Sequence, residues 1–78
     1  MNDFERLQTL IGREFNIDNI ISEMLDQEYE IVINKVEGYT SNIEGSGKCQ
    51  LYNVYYNDSE ATIYDVWIDC NNIIAHIE

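Results

Sequence analysis

The sequence predicts an α+β domain: one or two N-terminal helices packed on a four-stranded antiparallel β-meander. Two observations carry this expectation. The spacing of apolar residues changes from a helical to an alternating period near Glu28. Two Asn-rich turn signals, at Asn57-Asp58-Ser59-Glu60 and Asn71-Asn72, then divide the C-terminal half into short strands. Length adds a bound. A chain of 78 residues forms one small domain, 1–78, with a helical part over about 3–27 and a sheet over about 28–78.

Asn2 with Glu5 three positions later matches a capping box, in which each side chain accepts the other's backbone N–H. Phe4, Leu7, Leu10, Ile11 and Phe15 follow at helical spacing. Extending that stripe would bury Asp18 and Ser22. The apolar set moves instead to Ile17, Ile20, Ile21, Met24 and Leu25, which predicts a break near Asn16 and a second helix capped by it. Phe15 and Ile20 would be its hydrophobic staple.

Tyr29, Ile31 and Ile33 alternate with Glu28, Glu30 and Asn34, predicting a strand over about 28–37. Gly38 to Gly47, with Glu44-Gly45-Ser46-Gly47, reads as a long flexible connection. Three strands follow, over about 48–57, 61–70 and 73–78.

The turns predict a register. A two-residue loop at Asn71-Asn72 sets Cys70 opposite Ile73, Ile68 opposite Ala75 and Val66 opposite Ile77. A four-residue turn at Asn57-Asp58-Ser59-Glu60 sets Leu51 opposite Val66 and Cys49 opposite Ile68. These residues would form one buried face. The other face would carry Tyr52, Val54, Tyr56, Ile63, Trp67, Ile74 and His76, with Asp65 and Asp69 among them and Trp67 across from His76. Two helices can hardly cover both faces, so either the second helix wraps around or this aromatic face is an interface, a homodimer included.

Charge narrows the function. Fifteen Asp and Glu stand against four Lys and Arg, a net charge of −11, and no basic residue follows Lys48. With 45% hydrophobic residues, Trp67 and six Tyr, the chain is no disordered acidic tail. Direct nucleic-acid binding needs a basic footprint, and an anionic membrane surface is excluded by the same sign. No segment approaches the roughly 20 apolar residues of a membrane span. Met1-Asn2-Asp3-Phe4-Glu5 lacks the pattern of a signal peptide, and two cysteines make no disulfide framework. A cytoplasmic protein with reduced thiols is the expectation.

Chemistry finds little foothold. Gly45-Ser46-Gly47-Lys48 fails as a phosphate loop, because Asn42 and Cys49 occupy the positions of the first Gly and the final Ser or Thr. One His and two Cys give no zinc set, and no calcium-loop pattern surrounds Asp58. Asp65 and Asp69 lack a cleft that would raise one carboxyl pKa, and His76 is the lone candidate base. The expectation is a protein without catalysis, cofactor or metal.

What remains is stoichiometric binding of a basic protein. Carboxylates on a rigid fold can occupy a Lys- and Arg-lined groove that normally holds a nucleic-acid backbone. In size and charge the chain is similar to small acidic phage and mobile-element proteins that block restriction enzymes, CRISPR effectors or repair nucleases. No motif carries the likeness. Alternatives are an immunity protein or antitoxin against a basic toxin, and a structural homodimeric domain. The expected contact residues are Tyr52, Tyr56, Ile63 and Trp67 as anchors, with Asp58, Glu60, Asp65 and Asp69 around them. Glu28, Glu30, Glu37 and Glu44 form a second acidic candidate.

Overall fold

The capping box opens the first helix. Asn2 Oδ1 accepts the Glu5 N–H at 2.9 Å, and the Glu5 carboxylate accepts the Asn2 N–H at 3.4 Å. In the computed structural model, which describes residues 2–24, 30–58 and 61–78, helix α1 spans Asp3–Gln8 and helix α2 spans Ile17–Glu23. Expectations that fall on Leu25, Glu28, Tyr29 and Glu60 lie outside the described residues. Four strands follow: β1 (Ile31–Ile43), β2 (Gly47–Tyr56), β3 (Tyr64–Ile68) and β4 (Ile74–Ile77). They form one antiparallel sheet in the order β1-β2-β3-β4, the expected meander.

Helix α1 is shorter than its apolar stripe. Beyond Gln8 the chain continues in turns and reaches Gly12 at φ 91°, a conformation that ends the helix. The next residues run beside the outer edge of β4. Gly12 N–H donates to the Ile74 carbonyl (2.8 Å), Ile74 N–H to Arg13 (2.9 Å), and Phe15 N–H to Asn72 (2.7 Å). The Gln8 side-chain amide donates to the Ile77 carbonyl at 2.8 Å. Backbone groups of an otherwise open strand edge are thereby satisfied, which continued helix could not do. Asn16 then caps α2 as expected, its Oδ1 accepting the Asp18 N–H at 2.9 Å.

The expected loop from Gly38 to Gly47 is corrected. β1 continues to Ile43 through a bulge in which residues 36–39 oppose Leu51 alone, between the pairs Lys35–Tyr52 and Thr40–Gln50. Gly38 lies in this bulge, and the Gln50 side-chain amide donates to the Val36 carbonyl. The reversal is a tight turn: Ser46 N–H donates to the Ile43 carbonyl at 2.9 Å, with Gly45 at φ 84° in the third position. The glycines serve a bulge and a turn, where flexibility was expected.

The β2–β3 register differs by one residue from the expectation. Tyr52, not Leu51, lies opposite Val66, and Gln50, not Cys49, opposite Ile68. A one-residue slip exchanges the faces of a strand. Val54 is therefore fully buried, while Tyr52 and Tyr56 pack against the core. In the last hairpin Val66–Ile77 and Trp67–His76 pair as expected, but Ile68 faces Ile74 across a bulge, not Ala75. The reason is the turn. Asn72 at φ 65° closes a three-residue loop, and Asp69 Oδ1 accepts the N–H groups of Asn71 and Ile73, each at 2.9 Å.

Leu7, Leu10, Ile20 and Met24 from the helical layer thus close on Val54, Val66, Ile68, Ile74 and Ile77. Replacing Ile74, expected on the open face but fully buried, by Ala is predicted to cost about 2–5 kcal/mol. Leu51→Ala, on the opposite face, is predicted to cost only about 1 kcal/mol. Urea unfolding of the two variants checks the register, since the sequence-derived pairing requires the reverse order.

Candidate functional site

The register defines the sheet face that helices α1 and α2 do not cover, where Val32, Leu51, Tyr55, Asp65 and Trp67 are half-buried and Cys49 is fully buried. Alternation from the observed pairs puts Val32 and Asn34 of β1, Leu51, Asn53 and Tyr55 of β2, Asp65 and Trp67 of β3, and His76 of β4 on that side. None of the apolar members belongs to the cluster that the helices cover. Trp67 stands between Leu51 and His76. Tyr55 stands beside Val32. Between these two apolar pairs runs a polar row: Asn34, Asn53, Asp65 and then Glu78, whose backbone exchanges hydrogen bonds with Asp65 at 2.9 and 3.0 Å.

Two features of this face stand out. Asp65 and Glu78 are directly opposed like charges, an arrangement that weakens a sheet unless a cation joins it. The Glu78 carboxylate lies 3.6 Å from His76 Nε2. Trp67 is half-buried, yet its indole N–H is inaccessible and has no hydrogen-bond acceptor among the described residues. Buried N–H groups are ordinarily paired.

The positive charges sit elsewhere. Arg6 donates to the Glu23 carbonyl at 3.1 Å and lies 3.5 Å from its carboxylate, within the helical layer. Arg13 borders the helix-side edge of β4. Lys35 pairs across from Tyr52, on the helix side, with Glu37 at 3.7 Å. Alternation along β2 puts Lys48 on that same side. All four basic residues are therefore on or behind the covered face.

The expected contact residues divide accordingly. Trp67 and Asp65 occupy the open face. Tyr52 does not: its ring packs on Phe15 at 4.9 Å, and Tyr56 and Ile63 also lie against the core. Asp69 alternates onto the open side, but its carboxylate is engaged in the β3–β4 turn. Asp58 is exposed in the turn after β2. Of the second acidic set, Glu30 is exposed and its carbonyl accepts the Asn57 N–H at 2.8 Å, next to the Val32–Tyr55 pair. Glu37 is exposed in the bulge and Glu44 at the hairpin tip, away from Trp67. Sequence reasoning missed Leu51, Tyr55 and Val32. The available signal was Asn53, which belongs on a solvated face and carries Leu51 and Tyr55 with it.

Two titrations respond to the packing. Burial, then Asp69 and then Cys70, raises the Cys49 thiol above its ordinary value of 9.0. Burial, then Asp3, raises the Tyr64 phenol, whose ring lies 6.0 Å from Phe4. Among the described residues no three His, Cys, Asp or Glu side chains are placed to hold a metal ion. No protein-family model matches the chain, and no curated protein or solved structure matches it significantly.

Both raised groups keep their protons longer in the folded chain than in the unfolded one. Their contribution to stability is complete below the unfolded-state value and is lost as pH rises toward the folded-state value. The melting temperature is therefore expected to fall as pH rises above about 9, with a shallower slope in Cys49→Ala. An unchanged slope in that variant contradicts the burial of the thiol.

Proposed function

We propose that the protein binds a basic partner stoichiometrically through the open sheet face, occupying a surface of the kind that holds a nucleic-acid backbone. The observation that carries this reading is the pairing of Asp65 with Glu78 between two apolar pairs, on a face without Lys or Arg. A partner guanidinium or ammonium seated on that row neutralises two opposed carboxylates at once. The rings of Trp67 and Tyr55 flank it and supply cation–π attraction. Leu51 and Val32 contribute the desolvated surround that makes central contacts strong.

The wider charge acts at longer range. A net charge of −11 steers a basic partner toward the domain and accelerates encounter, an effect that salt weakens. The same charge disfavours a homodimer through this face, since a second copy would press Asp65 and Glu78 against their own images. An inhibitor of a nucleic-acid enzyme and an antitoxin against a basic toxin use the same contact and differ only in the partner's identity.

Immobilised protein is expected to retain basic nucleic-acid-binding proteins from a lysate, to release them as salt rises toward about 0.5 M, and to lose them to competing duplex DNA. Trp67→Ala and Asp65→Lys should each weaken the contact at least about tenfold. Their combination should abolish it, with the circular dichroism of the fold unchanged. Retention that ignores salt, DNA and both substitutions refutes the reading. Unfolding of the double variant would instead place Trp67 in a core.

A further inference from the structure

Cys49 on β2 and Cys70 in the β3–β4 turn line one open depression of about 290 Å³, together with Asp69, Thr40 and Lys48. Their exposures are opposite. Cys49 is 1% exposed and its thiol donates to the Gly47 carbonyl at 3.5 Å, whereas Cys70 is exposed at the surface. Both cysteines lie just beyond the last β2–β3 pair, Gln50–Ile68, and Cys70 is among the groups whose charge acts on the Cys49 thiol.

We infer that Cys49 and Cys70 form a site of reversible thiol modification, in which a small-molecule disulfide such as oxidised glutathione enters at Cys70 and is resolved by Cys49. The Cys70 thiolate attacks one glutathione sulfur, forming a mixed disulfide and expelling the other glutathione as a thiolate, which takes up a proton. Cys49 then gives up its proton to solvent and attacks the Cys70 sulfur. The Cys49–Cys70 bond forms and the second glutathione leaves. The two protein thiols lose two electrons in total, and the glutathione disulfide gains them. Burial, with Asp69 and Cys70 beside it, keeps Cys49 protonated and unreactive until its neighbour carries the leaving group.

The cross-link ties the tip end of the β1–β2 hairpin to the β3–β4 turn, beyond the last paired residues of β3. It leaves Trp67 and Asp65 in place and so does not depend on the proposed binding role.

The test exposes folded protein to oxidised glutathione and follows intact mass and non-reducing peptide maps. The expected course is a glutathione adduct on Cys70, followed by a monomer lighter than the reduced protein by two hydrogens, with residues 49 and 70 linked. Its melting temperature should be higher by roughly 5 °C or more and return to the starting value with dithiothreitol. Cys49→Ala should stop at the adduct, and Cys70→Ser, a surface change, should take up no glutathione while folded. Wild-type protein that stops at the adduct, or links Cys70 to Cys70 of a second molecule, overturns the inference. Glutathione found on Cys49 of folded Cys70→Ser also overturns it.

Discussion

One residue of strand register governs the rest of the molecule. Helices of six and seven residues can cover one face of a four-stranded sheet, so the pairing of β2 with β3 decides which side chains are buried. Tyr52 opposite Val66 turns Val54, Val66, Ile74 and Ile77 toward the helices. The same choice turns Leu51, Tyr55 and Trp67 away from them. A slip by one position would exchange these sets and bury Asn53 and Asp65, which have no partner there. The turns defend this register. Asp69 accepts two backbone N–H groups, and the Ile63 N–H reaches the Val54 carbonyl at 2.8 Å.

Register also sorts the charges. The four basic residues remain with the helical layer or on its side of the sheet, where Arg6 joins α1 to the end of α2. The other face holds no Lys or Arg among the described residues; it carries His76 beside Glu78, with Asp65 and Glu78 directly opposed. Such opposition is unfavourable in the free domain, and so is a buried Trp67 N–H without an acceptor among the described residues. Local conflict of this kind, within an otherwise consistent fold, is characteristic of positions that serve binding. The sheet edges are managed differently. Residues 12–15 cover β4, whereas β1 carries a bulge that follows Lys35 and contains Glu37, which discourages pairing with another strand.

Much of the architecture was legible because its signals are local. The Asn2–Glu5 box, the Asn16 cap and the change of period after the helices depend on neighbouring residues, and all appear as read. The pairs Val66–Ile77 and Trp67–His76 were legible for the same reason, since a short turn joins their strands. Less local features were not. Nothing near Gly12 signals that residues 12–15 will leave the helix to satisfy β4, some sixty residues away. The segment Leu51-Tyr52-Asn53-Val54-Tyr55-Tyr56 offers an aromatic on each face, so periodicity alone could not choose between them. The site suffered in proportion. Its character, aromatic and acidic, followed from composition, while Tyr52, Tyr56 and Ile63 were put on the wrong side.

The central claim is that Trp67 lies on an open face whose charge is negative. Trp67 is the single tryptophan of the chain, so its fluorescence reports this face alone. Quenching by caesium and by iodide at low ionic strength compares access for a cation and an anion of similar kind. An acidic face concentrates caesium and repels iodide, so caesium should quench several-fold more effectively, with the difference shrinking in Asp65→Asn and as salt is added. Equal quenching by both ions, or by neither, contradicts the account.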